Sequence, residues 1–163
     1  MPTAKPKTSP ADARGHGIPA RKRVKQTELL KFRILSISTA SEDHHELSEI
    51  LKDCKWRISK AGTCKEAVSR LYRKRMPVVI CSSDLPDATW KDVLKQINTL
   101  ADPPCLIVTS RLADDHLWAE VLNLGGYNVL AKPFRESEVK HVVSSLWMRE
   151  HGLLRQATAG GGA

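Results

Sequence analysis

The chain has 163 residues, 41% of them hydrophobic and 27% charged, enough for one domain with a real core plus tails. The net charge of +8 is uneven, because residues 1–33 carry nine Lys/Arg against Asp12 and Glu28, which accounts for +7 of it. No apolar run approaches the roughly 18 residues a bilayer span needs, and no secretory signal is read at the N-terminus.

Residues 1–30 are expected to be a disordered basic tail. Residues 1–25 hold Pro, Ala, Lys, Arg and Gly but almost no large apolar side chains, so ordering them is not offset by burial. Their 21–25 cluster, RKRVK, offers nonspecific contact to nucleic acid, an acidic partner or lipid, against a plain solubilising role. A strand follows at 32–38, then a helix at 41–53 with Leu47, Ile50 and Leu51 on one face. Thr39 or Ser41 is the expected cap, and Glu42 and Asp43 suit the positive end of the helix dipole. A weaker strand at 56–60 precedes a helix at 63–73 carrying Ala67, Val68, Leu71 and Tyr72. The apolar strand 77–81 leads to a helix at 89–100, and strand 105–109 to a helix at 112–124. Gly125-Gly126 is expected to end that helix, since glycine accepts the left-handed cap. Strand 127–131 and helix 136–148 complete the series, and 151–163 is expected to be a flexible tail.

Five apolar strands alternating with five helices predict an α/β fold with a parallel sheet covered on both faces. Right-handed crossovers favour a doubly wound sheet of order 2-1-3-4-5, with the functional site at the C-terminal strand ends. The four cysteines, Cys54, Cys64, Cys81 and Cys105, have no CxxC spacing, and Cys81 and Cys105 read as small core residues. Cys54 and Cys64 are expected to stay reduced. His44 and His45 are adjacent, so they point to different helix faces and form no metal signature. Without a Gly-rich phosphate loop, a nucleophile–base arrangement or a metal cluster, enzymatic activity is not expected.

The residues at the strand ends carry a resemblance. Val79-Ile80-Cys81-Ser82-Ser83-Asp84-Leu85-Pro86-Asp87, Val108-Thr109-Ser110 and Ala131-Lys132-Pro133-Phe134 resemble the receiver domain of bacterial response regulators, the CheY-like fold, over about residues 32–149. The resemblance implies a cytoplasmic two-component or phosphorelay component. It also implies a phosphoacceptor Asp at the end of strand 3, which here is Ser82. The Mg²⁺-holding acidic pair falls on Ser38 and Thr39. The phosphate-binding hydroxyl matches Thr109, the lysine matches Lys132, and the aromatic switch position is Val129. So the hydroxyl and the ammonium are kept, and three carboxylates and the aromatic are gone. Serine and threonine hydroxyls are poor Mg²⁺ ligands, and Mg²⁺ binding is expected to be lost or weak, with no metal site.

The expectation is a pseudo-receiver that acts by protein–protein contact with a sensor kinase or effector, with no output domain after Trp147. Alternatives remain: phosphorylation on Asp84 as a substitute acceptor, a metal site supplied by Glu42 and Asp43, and a hydroxyl-lined cationic pocket of Lys132 with Ser38, Thr39, Ser82 and Thr109 taking a small anion. A further rival is a nucleic-acid-associated regulator binding through its tail. Lys132 is expected to pair with Asp84 or Asp87, or to reach solvent. Trp90 is expected in the core. Trp118 and Val129 lie on the helix 4–strand 5–helix 5 face, where the resemblance implies partner binding or homodimers.

Overall fold

Alternation of apolar strands with amphipathic helices is realised in full. The computed structural model describes residues 32–54 and 56–160, with side chains to residue 150. The expected tail of residues 1–30, its 21–25 cluster and residues 161–163 lie outside the described residues. Among the described residues five strands, β1 (Phe32–Ile37), β2 (Trp56–Ala61), β3 (Val78–Ser82), β4 (Cys105–Ser110) and β5 (Asn128–Ala131), alternate with five helices. These are α1 (Ser41–Ile50), α2 (Cys64–Arg73), α3 (Trp90–Ile97), α4 (Asp115–Leu124) and α5 (Glu136–Gly160). The strands form one sheet of order β2-β1-β3-β4-β5, and every pairing is parallel.

Period-2 alternation along the strands divides the core into two layers. Leu35, Ile37, Val79, Cys81, Leu106, Val108 and Val129 face the layer that holds Ala67 and Leu71 of α2, Val93 and Ile97 of α3, and Val121 of α4. Ile34, Val78, Ile80, Ile107 and Leu130 face Leu47 of α1 and Val139, Val143 and Leu146 of α5. Trp90 is buried in the first layer, as its size and apolarity predict.

Helix ends follow local chemistry. The Thr63 hydroxyl accepts the Glu66 amide at the start of α2. Thr89 and Asp92 form a reciprocal capping box on α3. Asp114 caps α4 by accepting the Leu117 amide, which moves the helix start past Leu112 and leaves that leucine exposed. Gly125 ends α4 with φ +103°, as expected.

Two expectations need correction. Neither Thr39 nor Ser41 caps α1: Ala40 holds the cap position without a side-chain bond, and the Ser38 hydroxyl accepts the Ala40 amide instead. Helix α5 does not stop at 148 but runs to Gly160, into the stretch expected to be a flexible tail. The core-facing pattern ends at Trp147, but Leu, Arg, Gln and Ala beyond it are helix formers and no proline interrupts them.

Candidate functional site

The same alternation that builds the core puts small polar residues at its edge. Ser36 follows Ile34 on the α1–α5 face, and Ser82 follows Ile80 and Thr109 follows Ile107 on that face. Ser82 and Thr109 are neighbours in register at the C-terminal ends of β3 and β4. All three are buried, as is Ser38 just beyond β1, whose amide donates to the Ala61 carbonyl at 3.0 Å. Just beyond β5, the Lys132 amide donates to the Ser110 carbonyl at 3.0 Å, and the peptide bond to Pro133 is cis. Four adjacent strand ends therefore converge on one shallow polar floor.

Lys132 reaches across this floor. Its Nζ donates to Asp43 Oδ2 at 2.6 Å and to Ser82 Oγ at 3.0 Å. The Ser38 hydroxyl donates to the same Asp43 oxygen at 2.6 Å. Both charged side chains are only 14% exposed. Asp43 thus sits between a hydroxyl and an ammonium, held by two short charge-assisted bonds.

The adjacent residue places it there. His44 is buried, with Nε2 at 3.0 Å from the Ser38 carbonyl and Nδ1 at 2.8 Å from Ser36 Oγ. A carbonyl only accepts, so Nε2 carries a proton; in the neutral ring Nδ1 then accepts the Ser36 hydroxyl. This clamp fixes the first turn of α1 against β1 and turns the preceding carboxylate into the site.

Sequence reasoning treated Asp43 as a helix-start acid and sent Lys132 to Asp84, Asp87 or solvent. The ion pair is with Asp43. Asp84 is exposed; its backbone forms an isolated antiparallel bridge with Thr89, and its amide lies 3.4 Å from Ser82 Oγ. Asp87 is committed elsewhere: its carboxylate accepts the Cys64 and Lys65 amides at 3.0 and 3.2 Å, tying the β3–α3 loop to the start of α2. Those bonds, the Cys64 amide first, hold its carboxyl below the ordinary 3.8.

The other expected residues divide. Ser38, Ser82 and Lys132 come together, and Thr109 lies beside them without its hydroxyl joining the network. Thr39 is exposed and takes no part. Trp118 is half-buried against the core, and Val129 is only 1% exposed within it, so Val129 presents no surface to a partner. Residues missed at the sequence level are Asp43 in its ion pair and His44 beneath it. The signal available for His44 was its i+3 spacing to Leu47, which places it on the buried face.

This donor set does not fit Mg²⁺. The ion favours octahedral oxygen ligation with one or two carboxylates. Here one carboxylate is present, and an ammonium already occupies its inner oxygen. Among the described residues, no three His, Cys, Asp or Glu side chains converge to hold a metal. Nor is any helix there long and apolar enough to cross a membrane.

Comparison with known proteins agrees with this architecture. The model of the response regulator receiver domain matches residues 34–144. Protein CcdB of Bacillus subtilis (strain 168) is 25% identical over 113 residues, 69% of this chain and 94% of that protein. The chemotaxis response regulator CheY4 of Vibrio cholerae superposes with TM-score 0.65 at 16% identity, covering 71% of this chain and 98% of that one. The signal receiver domain of an HD domain-containing protein from Pseudomonas fluorescens Pf-5 superposes with TM-score 0.69 at 20% identity, covering 77% and 93%. With its 2-1-3-4-5 sheet and its polar strand ends, the chain belongs to the response regulator receiver domain family of two-component signalling.

Proposed function

We propose that this receiver works without aspartyl phosphorylation, as a non-catalytic module that signals by contact with a sensor kinase or effector. One observation carries the reading. Lys132 Nζ is already neutralised by Asp43 and bonded to a serine where the family pattern has its acceptor aspartate. Ser82 is a weak nucleophile, and among the described residues the one side-chain bond to its oxygen comes from a donor, the ammonium, which lowers its nucleophilicity further. The metal that would neutralise a transferring phosphoryl group finds a single, occupied carboxylate. Exposed leucines support the contact role: Leu122 and Leu124 on α4, and Leu112 in the loop before it.

The test is an NMR titration of the full chain with Mg²⁺ and beryllofluoride, a mimic of the aspartyl phosphate, paired with mass spectrometry after acetyl phosphate treatment. The expected result is no saturable shift at Ser38, Ser82, Thr109 or Lys132 and no added phosphate. Saturable shifts that spread to α4, or phosphate on Asp84 lost in Asp84→Ala, would replace this reading with a working phosphoswitch.

A further inference from the structure

Charge within the folded region is as uneven as in the chain at large. Residues 32–150 hold seventeen Lys/Arg and sixteen Asp/Glu, yet residues 52–75 alone hold nine Lys/Arg against Asp53 and Glu66. That stretch is net +7 and the remainder of the region is net −6. It folds into β2, an edge strand that among the described residues pairs with β1 alone, and into α2.

Some of these cations have partners. Lys52 pairs with Glu49, Arg70 with Glu66, and Arg75 with Asp102 and Glu150. Arg57, Lys60, Lys65, Arg73 and Lys74 are exposed and form no ion pair among the described residues. Cations on an edge strand blunt unwanted pairing, which explains Arg57 and Lys60. It does not explain those of α2.

Helix α2 adds a ring to the charge. Tyr72 is 68% exposed, seven residues from Lys65 and next to Arg73, so Lys65, Ser69, Tyr72 and Arg73 share one outward stripe. An open groove of about 500 Å³ runs along the helix, lined by Thr63, Lys65, Glu66, Ser69, Arg70 and Arg73. Free cations and hydroxyls suit phosphate, and an exposed flat ring among them suits an unstacked base. An acidic protein face would use the cations, but the single ring has no exposed apolar neighbours on this stripe to form the buried core of a protein interface. A bilayer would need further large apolar side chains on this stripe, and it has none.

We infer that the α2 face, with the neighbouring β2 edge, is a binding site for single-stranded nucleic acid, with Lys65 and Arg73 contacting phosphates and Tyr72 stacking on a base. The site is distinct from the Lys132 network and does not depend on whether that network is phosphorylated.

The experiment is fluorescence anisotropy of a labelled fifteen-residue oligouridine with the full chain at two salt concentrations. Lys65→Glu/Arg73→Glu is expected to weaken binding more than tenfold and to flatten the salt dependence. Tyr72→Ala is expected to weaken it about tenfold and Tyr72→Phe to leave it unchanged, since stacking needs the ring and not the hydroxyl. Photocrosslinking with 5-iodouridine is expected to mark the peptide containing Tyr72. Four results would each overturn the inference: a silent Tyr72→Ala, crosslinks confined to residues 1–31, equal affinity for duplex, or competition by polyglutamate equal to that by oligouridine. The last would make the face an acidic-protein dock.

Discussion

Removing the Asp43 carboxylate is the sharpest perturbation of the strand-end site. Asp43 Oδ2 accepts from Ser38 Oγ and Lys132 Nζ, each at 2.6 Å, and both ionic side chains are 14% exposed. A hydrogen bond to a charged group contributes about 1.5–3 kcal/mol net. Breaking a fully buried pair costs about 3–5 kcal/mol, because the surviving charge is left unpaired. Here some water reaches Lys132, and Ser82 Oγ still accepts from it, so Asp43→Ala is expected to cost about 2–3 kcal/mol. Lys132→Met should cost a similar amount. The double variant Asp43→Ala/Lys132→Met should cost less than the sum, with a coupling of about 2 kcal/mol. Urea unfolding monitored by tryptophan fluorescence gives all three values, provided the slope with denaturant stays constant across the variants. A coupling under about 0.5 kcal/mol would show a pair that behaves like a solvated surface bridge, and the argument that Asp43 neutralises Lys132 would fail.

Other expectations test the framework around the site. A Cβ at Gly126 would overlap the Val121 side chain, whereas at Gly125 it would meet only open space at φ +103°. Gly126→Ala should therefore cost about 1–3 kcal/mol from overpacking and Gly125→Ala about 1–2 kcal/mol from backbone conformation alone, both read from urea midpoints. Burial pushes the Cys81 thiol up to about 12 and also raises Cys64 and Cys105, so a thiol reagent at neutral pH should label half-exposed Cys54 first. Rapid native labelling of Cys81 would contradict its place in the core. Asp87 and Asp92 are held below their ordinary 3.8, mainly by backbone amides, and Glu66 below 4.5 by the Gly62 amide. Their contribution to stability is complete above those ordinary values and is lost as pH falls below about 4.5 and then 3.8, so Asp87→Asn should flatten the acid limb of a stability–pH curve.

The two kinds of information in the sequence were unequally legible. Strand β3 and its neighbours announced themselves because strands buried on both faces must be apolar throughout, and Gly125 marked a helix end because a left-handed cap excludes most other residues. Ser82, Ser38 and Lys132 were reachable for the same reason: they sit at strand ends whose position the apolar runs define. Asp43 was not. Its ion pair spans 89 positions in the chain and depends on where α1 begins, which no capping side chain signals. The contact of Asp87 with the start of α2 spans 23 positions and is equally nonlocal. Alignment to the family pattern pointed to residues 38 and 39, but only the first of them is buried at the site. Ser38 faces the site and Thr39 faces solvent.

Charge counting links these details. The usual family site sets an acidic pair and an acceptor aspartate against one lysine, an excess of two negative charges that a divalent cation offsets. Replacement of all three carboxylates by hydroxyls would leave Lys132 as an uncompensated cation, only 14% exposed. An unpaired charge at that depth is costly and is rarely left standing. Asp43 supplies one carboxylate from the first turn of α1, held in position by His44 on the β1 backbone. The two charges of this network then balance, one ammonium against one carboxylate. Restoring a single aspartate at the acceptor position would add one negative charge beside a lysine already paired. An aspartate placed at Ser82 without removal of Asp43 would therefore leave Lys132 shared between two carboxylates.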